Sequence, residues 1–262
     1  MIIAVLVILG LALGSFVNAF VWRLHEKKKW VNDRSECTNC HHKLAAIDLV
    51  PVLSWLLLRG RCRYCQSKIS VQYPIVELGL TLLFMMSYFF WPNIITGWQI
   101  SIFAIWLLVS TGLVALAVYD LRYMLLPTKL IYVLLALAIV SSSITLALAN
   151  DPATTLVNLL FSTLIGGGMF YVLYMVSRGK WIGGGDVRLG FLLGLLAATA
   201  SRSFLLIFIA ALIGTVVSLG LISIKQLNRK SLIPFGPFLI AALFIIQFWG
   251  QHILNWYSNL FL

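Results

Sequence analysis

Charge is scarce in this sequence, and acidic charge scarcest: 10% of its 262 positions are charged, and only eight are Asp or Glu. With 61% of positions hydrophobic, the composition lies far outside that of soluble domains and predicts an integral membrane protein. Fixed-period repeats and low-complexity tracts are absent, which excludes solenoids and disordered arrays. No Gly-rich nucleotide-binding loop is legible either. The basic excess, +11 overall, raises the question of a nucleic-acid partner, which its distribution answers.

Apolar runs near the ~20 residues needed to cross a bilayer recur along the chain. Eight are expected: roughly 2–22, 73–90, 99–120, 129–148, 155–177, 187–200, 204–224 and 235–250. The fold class is therefore all-α and polytopic, with about eight transmembrane helices and a small insertion between the first two. The run at 187–200 is the shortest, since 14 residues make only about 21 Å of helix. Residues 1–22 lack the basic leading segment of a secretory signal and are followed by Arg23, Lys27, Lys28 and Lys29, a pattern that retains the helix in the membrane. With the N-terminus outside, eighteen of the nineteen Lys and Arg fall on the inner side and Arg202 alone outside. The charge thus reads as topology and as contact with an anionic inner leaflet, with no nucleic-acid partner.

The expected domains are a first transmembrane helix at 1–22, a cytoplasmic insertion at 23–72, and a membrane domain of about seven helices at 73–262. About 50 residues scarcely support a core, so the insertion needs a staple or packing against the membrane domain. Its middle, 47-IDLVPVLSWLLL-58, is apolar enough to pack or to lie in the interface. All four cysteines lie there, as 37-CTNC-40 and 62-CRYC-65. Two C-x2-C pairs with 21 residues between them can close a tetrahedral zinc site, and a reducing cytoplasm disfavours two disulfides. Cys37, Cys40, Cys62 and Cys65 are the candidate ligands of one structural zinc. His41 and His42 are substitute ligands or solvated loop residues.

Three acids remain in or at the ends of apolar runs: Glu77, Asp120 and Asp186. Ionisable groups there are costly and mark functional sites. The topology puts all three at one depth, near the inner face. Two adjacent aspartates sharing a proton can activate water and protonate the departing amine of a peptide bond. In 183-GGGD-186, Gly183, Gly184 and Gly185 let an extended peptide approach the acid, and Asp186 at a helix N-terminus is the expected base, with Asp120 the protonated partner. Three structural alternatives stand beside this. Asp186 caps a helix, Asp120 ends one beside Arg122, and the glycines, 166-GGG-168 included, serve close helix packing. Glu77 is expected to support the site rather than to react.

In order along the chain, 14-GSFVNAFVWRL-24, the paired CxxC with 49-LVPVLSWLLLRGRCRYC-65, 70-SVQYPIVELGLTLLF-84, Asp120 with 121-LRYMLLP-127, 183-GGGDVRLG-190 and 233-IPFGPFLIAA-242 resemble the bacterial prepilin peptidases. The resemblance implies a GxGD-type aspartic protease with Asp120 and Asp186 as catalytic acids, which removes the short basic leader of type IV prepilins or pseudopilins at the cytoplasmic face. It implies a second activity, N-methylation of the new N-terminus with S-adenosylmethionine, associated with the insertion and with Gly60. Three positions depart from the family pattern: His25 follows Arg23-Leu24 where a proline is common, Thr128 stands where many members carry an acid, and Arg188 where a lysine is common. An intramembrane protease of the presenilin type, a proton-coupled transporter using the three acids as a relay, and a zinc-stapled scaffold are the competing readings.

Overall fold

The computed structural model describes residues 1–28, 35–223 and 233–261. Lys29 and Arg34 of the insertion and the inner segment 225–230, with three of the counted basic charges, lie outside the described residues. Among the described residues the chain is helical, with two isolated single-residue bridges and no strand.

Ten α-helices follow one another: α1 (Ile2–His25), α2 (Leu53–Leu57), α3 (Gln72–Phe89), α4 (Trp98–Tyr123), α5 (Thr128–Ala147), α6 (Pro152–Thr163), α7 (Met169–Ser177), α8 (Gly184–Ala197), α9 (Ala200–Ser223) and α10 (Gly236–Phe261). A 3-10 turn at Ala46–Leu49 precedes α2, and a π-helical turn at Leu164–Gly168 joins α6 to α7. Among the described residues six helical segments are long and apolar enough to cross a membrane: α1, α4, α5, α6 with α7, α9 and α10. The chain is a multi-pass membrane protein. Neither α3 nor α8 is among the six.

Two compact units emerge, one made of Met1–Pro92 with Ser110–Ala115 of α4, the other of the remaining residues. In the first, α1 and α3 lie antiparallel in tight register. The amide of Asn18 donates to Gly14 O and to Tyr73 O, and Gln72 donates to Asn18 Oδ1. One helical turn deeper, a Cβ at Gly14 would lie 2.6 Å from Glu77 Cα, and at Gly10 2.5 Å from Thr81 Cα. Gly10, Gly14 and Asn18, four residues apart, thus form the small face that lets the two backbones touch, the usual solution where lipid supplies no hydrophobic drive.

In the second unit, α8 is the hub, packed by α5, α6, α7, α9, α10 and the π-helical turn. Its Leu189, Leu192, Leu193 and Ala197 are fully buried. A helix enclosed by protein need not match the hydrocarbon thickness, which accounts for its 14 residues. Gly190 and Gly194 form its close-packing face: a Cβ at Gly166 would lie 2.6 Å from Gly194 Cα, and one at Gly194 2.7 Å from Ser162 O. Helix packing is therefore what Gly166 serves. Buried Ser162 donates to Gly194 O, and Ser203 Oγ donates to Ser162 O, which ties α6, α8 and α9 together.

Candidate active site and metal cluster

Asp120 occupies the last turn of α4 and is 5% exposed. The helix stops because Met124 adopts the left-handed conformation (φ 53°) and its N–H returns to Asp120 O. The chain then runs through Leu126 and Pro127 into α5. The Asp120 carboxylate accepts the backbone N–H of Gly236, first residue of α10. A Cβ at Gly236 would lie 2.6 Å from Asp120 Oδ2, so only glycine fits beside the acid in this arrangement.

Asp186 is the third residue of α8, and its carboxylate accepts the N–H of Gly183, the N-cap. This is half of a capping box. The N-cap itself is Gly183, and the bond to its N–H holds the acid in place. Asp120 and Asp186 are near enough for their charges to interact. Leu126 lies beside Gly185 and Gly236: a Cβ at Gly185 would be 3.0 Å from Leu126 Cβ, and one at Gly236 3.4 Å from Leu126 Cδ2. Each acid is therefore held by a glycine N–H at the N-terminus of a helix, where the dipole favours negative charge. Among the described residues neither has a basic partner. Arg122 lies over the Tyr123 ring instead.

The three glycines before Asp186 differ. Gly185 is packed against Leu126, whereas a side chain at Gly183 or Gly184 would meet only ordinary contacts at 3.5 Å and 3.9 Å. Arg188, exposed, donates to Thr128 Oγ1 at 3.0 Å and so links the starts of α8 and α5. Glu77 lies in the first unit. Its carboxylate, 5% exposed, accepts the N–H of Val52 at 2.7 Å and a bond from Ser15. Gly236 is the residue that sequence reasoning left unassigned. Its signal was present in 235-FGP-237, a glycine directly before a proline at a helix start.

The cysteine sulfurs all lie within 4.8 Å of one another, with Cys37 and Cys65 at 3.9 Å, and no disulfide forms among them. Four sulfurs at about 2.3 Å from a tetrahedral metal would be about 3.8 Å apart, so the cluster fits one ion. Two knuckles with matching hydrogen bonds build it. In the first, His41 N–H donates to Cys37 O, Cys37 N–H to His42 O, and Glu36 bridges Lys43. In the second, Gln66 N–H donates to Cys62 O, Cys62 N–H to Ser67 O, and Arg61 bridges Lys68. His41 and Gln66 take the same left-handed conformation, φ 55° and 59°. The Ser67 hydroxyl and backbone N–H bring the Cys65 thiol down to about 6, which suits a thiolate ligand. His42 stacks on Tyr64 and His41 faces Glu36, so the cluster is of cysteines alone.

Asp48 braces the second knuckle, accepting from Arg63 at 2.7 Å, Tyr64 at 3.0 Å and Ala45 N–H at 3.2 Å. Gly60 has φ +66° and lies against Trp55, whose ring a Cβ would meet at 2.9 Å. Its N–H donates to Trp55 O, its carbonyl accepts from Ile69 N–H, and Trp55 Nε1 donates to Ile69 O. Gly60 is thus the turn that leads from α2 into the second knuckle.

The model of the bacterial peptidase A24 N-terminal domain matches residues 8–91, and that of the type IV leader peptidase family matches residues 107–219. A prepilin leader peptidase/N-methyltransferase of Aeromonas hydrophila is 31% identical over 277 residues, covering 97% of this chain and 92% of the relative. The chain belongs to the type IV leader peptidase family. Other members include a prepilin leader peptidase/N-methyltransferase of Pseudomonas aeruginosa, 29% identical with 96% and 91% coverage, and a type 4 prepilin-like proteins leader peptide-processing enzyme of Escherichia coli, 32% identical with 71% and 73% coverage. No solved structure matches. Within this leader peptidase the N-terminal match contains the cysteine cluster and Glu77, and the second match contains both aspartates.

Proposed function

We propose that the chain is a membrane aspartic endopeptidase that removes the leader of type IV prepilin-like proteins, with Asp120 and Asp186 as its catalytic pair, and that it then N-methylates the new N-terminus. The observation that carries the peptidase reading is the convergence of the two acids, each fixed by a glycine N–H. In the reaction one carboxylate takes a proton from water, the oxygen attacks the carbonyl at the leader junction, and the protonated partner delivers its proton to the departing amine. The proton cycles within the pair, so which acid starts as base has no unique answer. The uncrowded backbone at Gly183 and Gly184 suits an extended leader peptide, Gly185 fits α8 against Leu126, and Arg188 steadies the helix start. Glu77 supports the first unit.

In this reading the four cysteines hold one structural zinc, S-adenosylmethionine donates the methyl group, and Gly60 belongs to the methylating half. Eight helices span the bacterial inner membrane with the N-terminus outside, and insertion and dyad face the cytoplasm, where a prepilin or pseudopilin presents its leader. The intramembrane-protease and transporter readings are not favoured by the relatives. Mass spectrometry of the N-terminus of a co-expressed prepilin tests both activities. The wild type is expected to yield the shortened, methylated species, and Asp120→Asn and Asp186→Asn the full leader from protein still present in membranes. Normal cleavage by either variant refutes the dyad.

A further inference from the structure

The stretch 47–58 presents an apolar surface that nothing in the proposed reaction uses. Leu53 is 58% exposed, Leu56 56% and Leu57 80%, and Ile47, Leu49 and Val50 are exposed beside them. On a water-soluble surface such a patch would be a liability.

Its depth is set by one contact. Val52 is the centre of a γ-turn, φ 60° and ψ −51°, closed by Leu53 N–H donating to Pro51 O at 2.6 Å. This turn is a strained one for a β-branched residue. Its N–H is taken by Glu77, the sixth residue of α3. Five residues at about 1.5 Å each put the turn about 7.5 Å along α3 from its start. Amphipathic elements that lie in a membrane surface sink about 5–10 Å into it.

The backbone is prepared for that environment. Pro51 has no N–H, Val52 N–H goes to Glu77, and Leu53, Ser54, Leu56 and Leu58 donate to Pro51, Val50, Val52 and Ser54 carbonyls. Lipid tolerates backbone only when its donors are satisfied in this way. Directly after the apolar stretch come Arg59 and Arg61, and then Lys68, all exposed. These suit anionic headgroups.

We propose that residues 47–58 form a lipid-binding finger: Leu53, Leu56 and Leu57 enter the headgroup–acyl boundary on the insertion's side of the bilayer, hung from α3 by the bond between Glu77 and Val52, with Arg59, Arg61 and Lys68 at the phosphates. The finger seats the cysteine cluster against the membrane surface. It stands independently of the aspartate pair.

The test places a photoreactive benzoylphenylalanine at Leu57 in the full-length protein, held in nanodiscs of phosphatidylcholine and phosphatidylglycerol. Ile8, 68% exposed on α1, is the lipid-facing control, and exposed Gln66 in the second knuckle is the aqueous one. Lipid adducts at positions 57 and 8 but not 66, identified by mass spectrometry, are expected. Adducts at 57 to a second copy or to co-reconstituted prepilin, or none at 57 while 8 labels lipid, overturn the proposal. In Glu77→Ala the lipid adduct at 57 is expected to fall while that at 8 persists. An unchanged yield at 57 removes Glu77 as the tether. Omitting phosphatidylglycerol should lower the yield at 57 alone, and an equal yield removes the part given to the basic residues.

Discussion

At Gly236 the cost of a single methyl group can be stated in advance. The hydrogen bond from its N–H to Asp120 needs the acid and the backbone in contact, and a Cβ would stand 2.6 Å from Oδ2. Gly236→Ala should therefore push the carboxylate away while leaving the protein folded. A displacement of about 1 Å costs on the order of a hundredfold in rate. We expect kcat for leader removal to fall by about that factor with KM little changed. Gly183→Ala, whose Cβ meets Asp186 Oδ2 at 3.5 Å, should cost far less unless substrate occupies that space, and then KM should rise. The two aspartates were legible in the sequence because an acid in an apolar run is costly and conspicuous. Gly236 was only partly so: 235-FGP-237 marks a helix start, but its partner Asp120 lies 116 residues away, and nothing local encodes that approach.

The helices make their closest approaches at residues too small to leave a hydrophobic signal. Hydropathy located the apolar runs, but it did not show that 155–177 is broken by a π-helical turn or that α8 is enclosed by protein. Both features come from Gly166, Gly190 and Gly194, where backbone meets backbone. The same holds for α1 on α3. Gly14→Val should separate these helices by forcing a side chain onto Glu77 Cα, with a loss of about 1–3 kcal/mol as for overpacked cores. Thermal unfolding in detergent should show it as a lowered midpoint, and Gly79→Ala, where a Cβ meets nothing within 4 Å and alanine is the better helix former, should not lower it. The cysteine spacing was the most legible element. What it concealed was that the knuckles repeat at an offset of 25 residues, Glu36 to Lys43 matching Arg61 to Lys68, since the sequences agree only at the cysteines and a lysine. With the proposed zinc joining the two knuckles, a chelator should raise hydrogen exchange across 36–43 and 61–68 together, because they share one cluster.

On the scale of the chain, the division into two units argues for separable activities. The cysteine cluster, Gly60 and the finger belong to Met1–Pro92, and the aspartate pair to the other unit; the two family matches, 8–91 and 107–219, divide similarly. A change confined to the first unit should therefore spare peptide cleavage. Gly60→Leu is such a change. Its φ of +66° costs a non-glycine residue about 1–2 kcal/mol, and its side chain would strike the Trp55 ring, which is tied to Ile69. The turn between α2 and the second knuckle must shift. The variant should release leader at the wild-type rate yet leave the new N-terminus unmethylated. Conversely, Asp186→Asn should fail to cleave but still methylate a synthetic peptide that begins at the mature N-terminus. Mass shifts on the two peptides separate these outcomes. If Gly60→Leu lost cleavage and methylation together, the two activities would not be separable and the division by unit would fail.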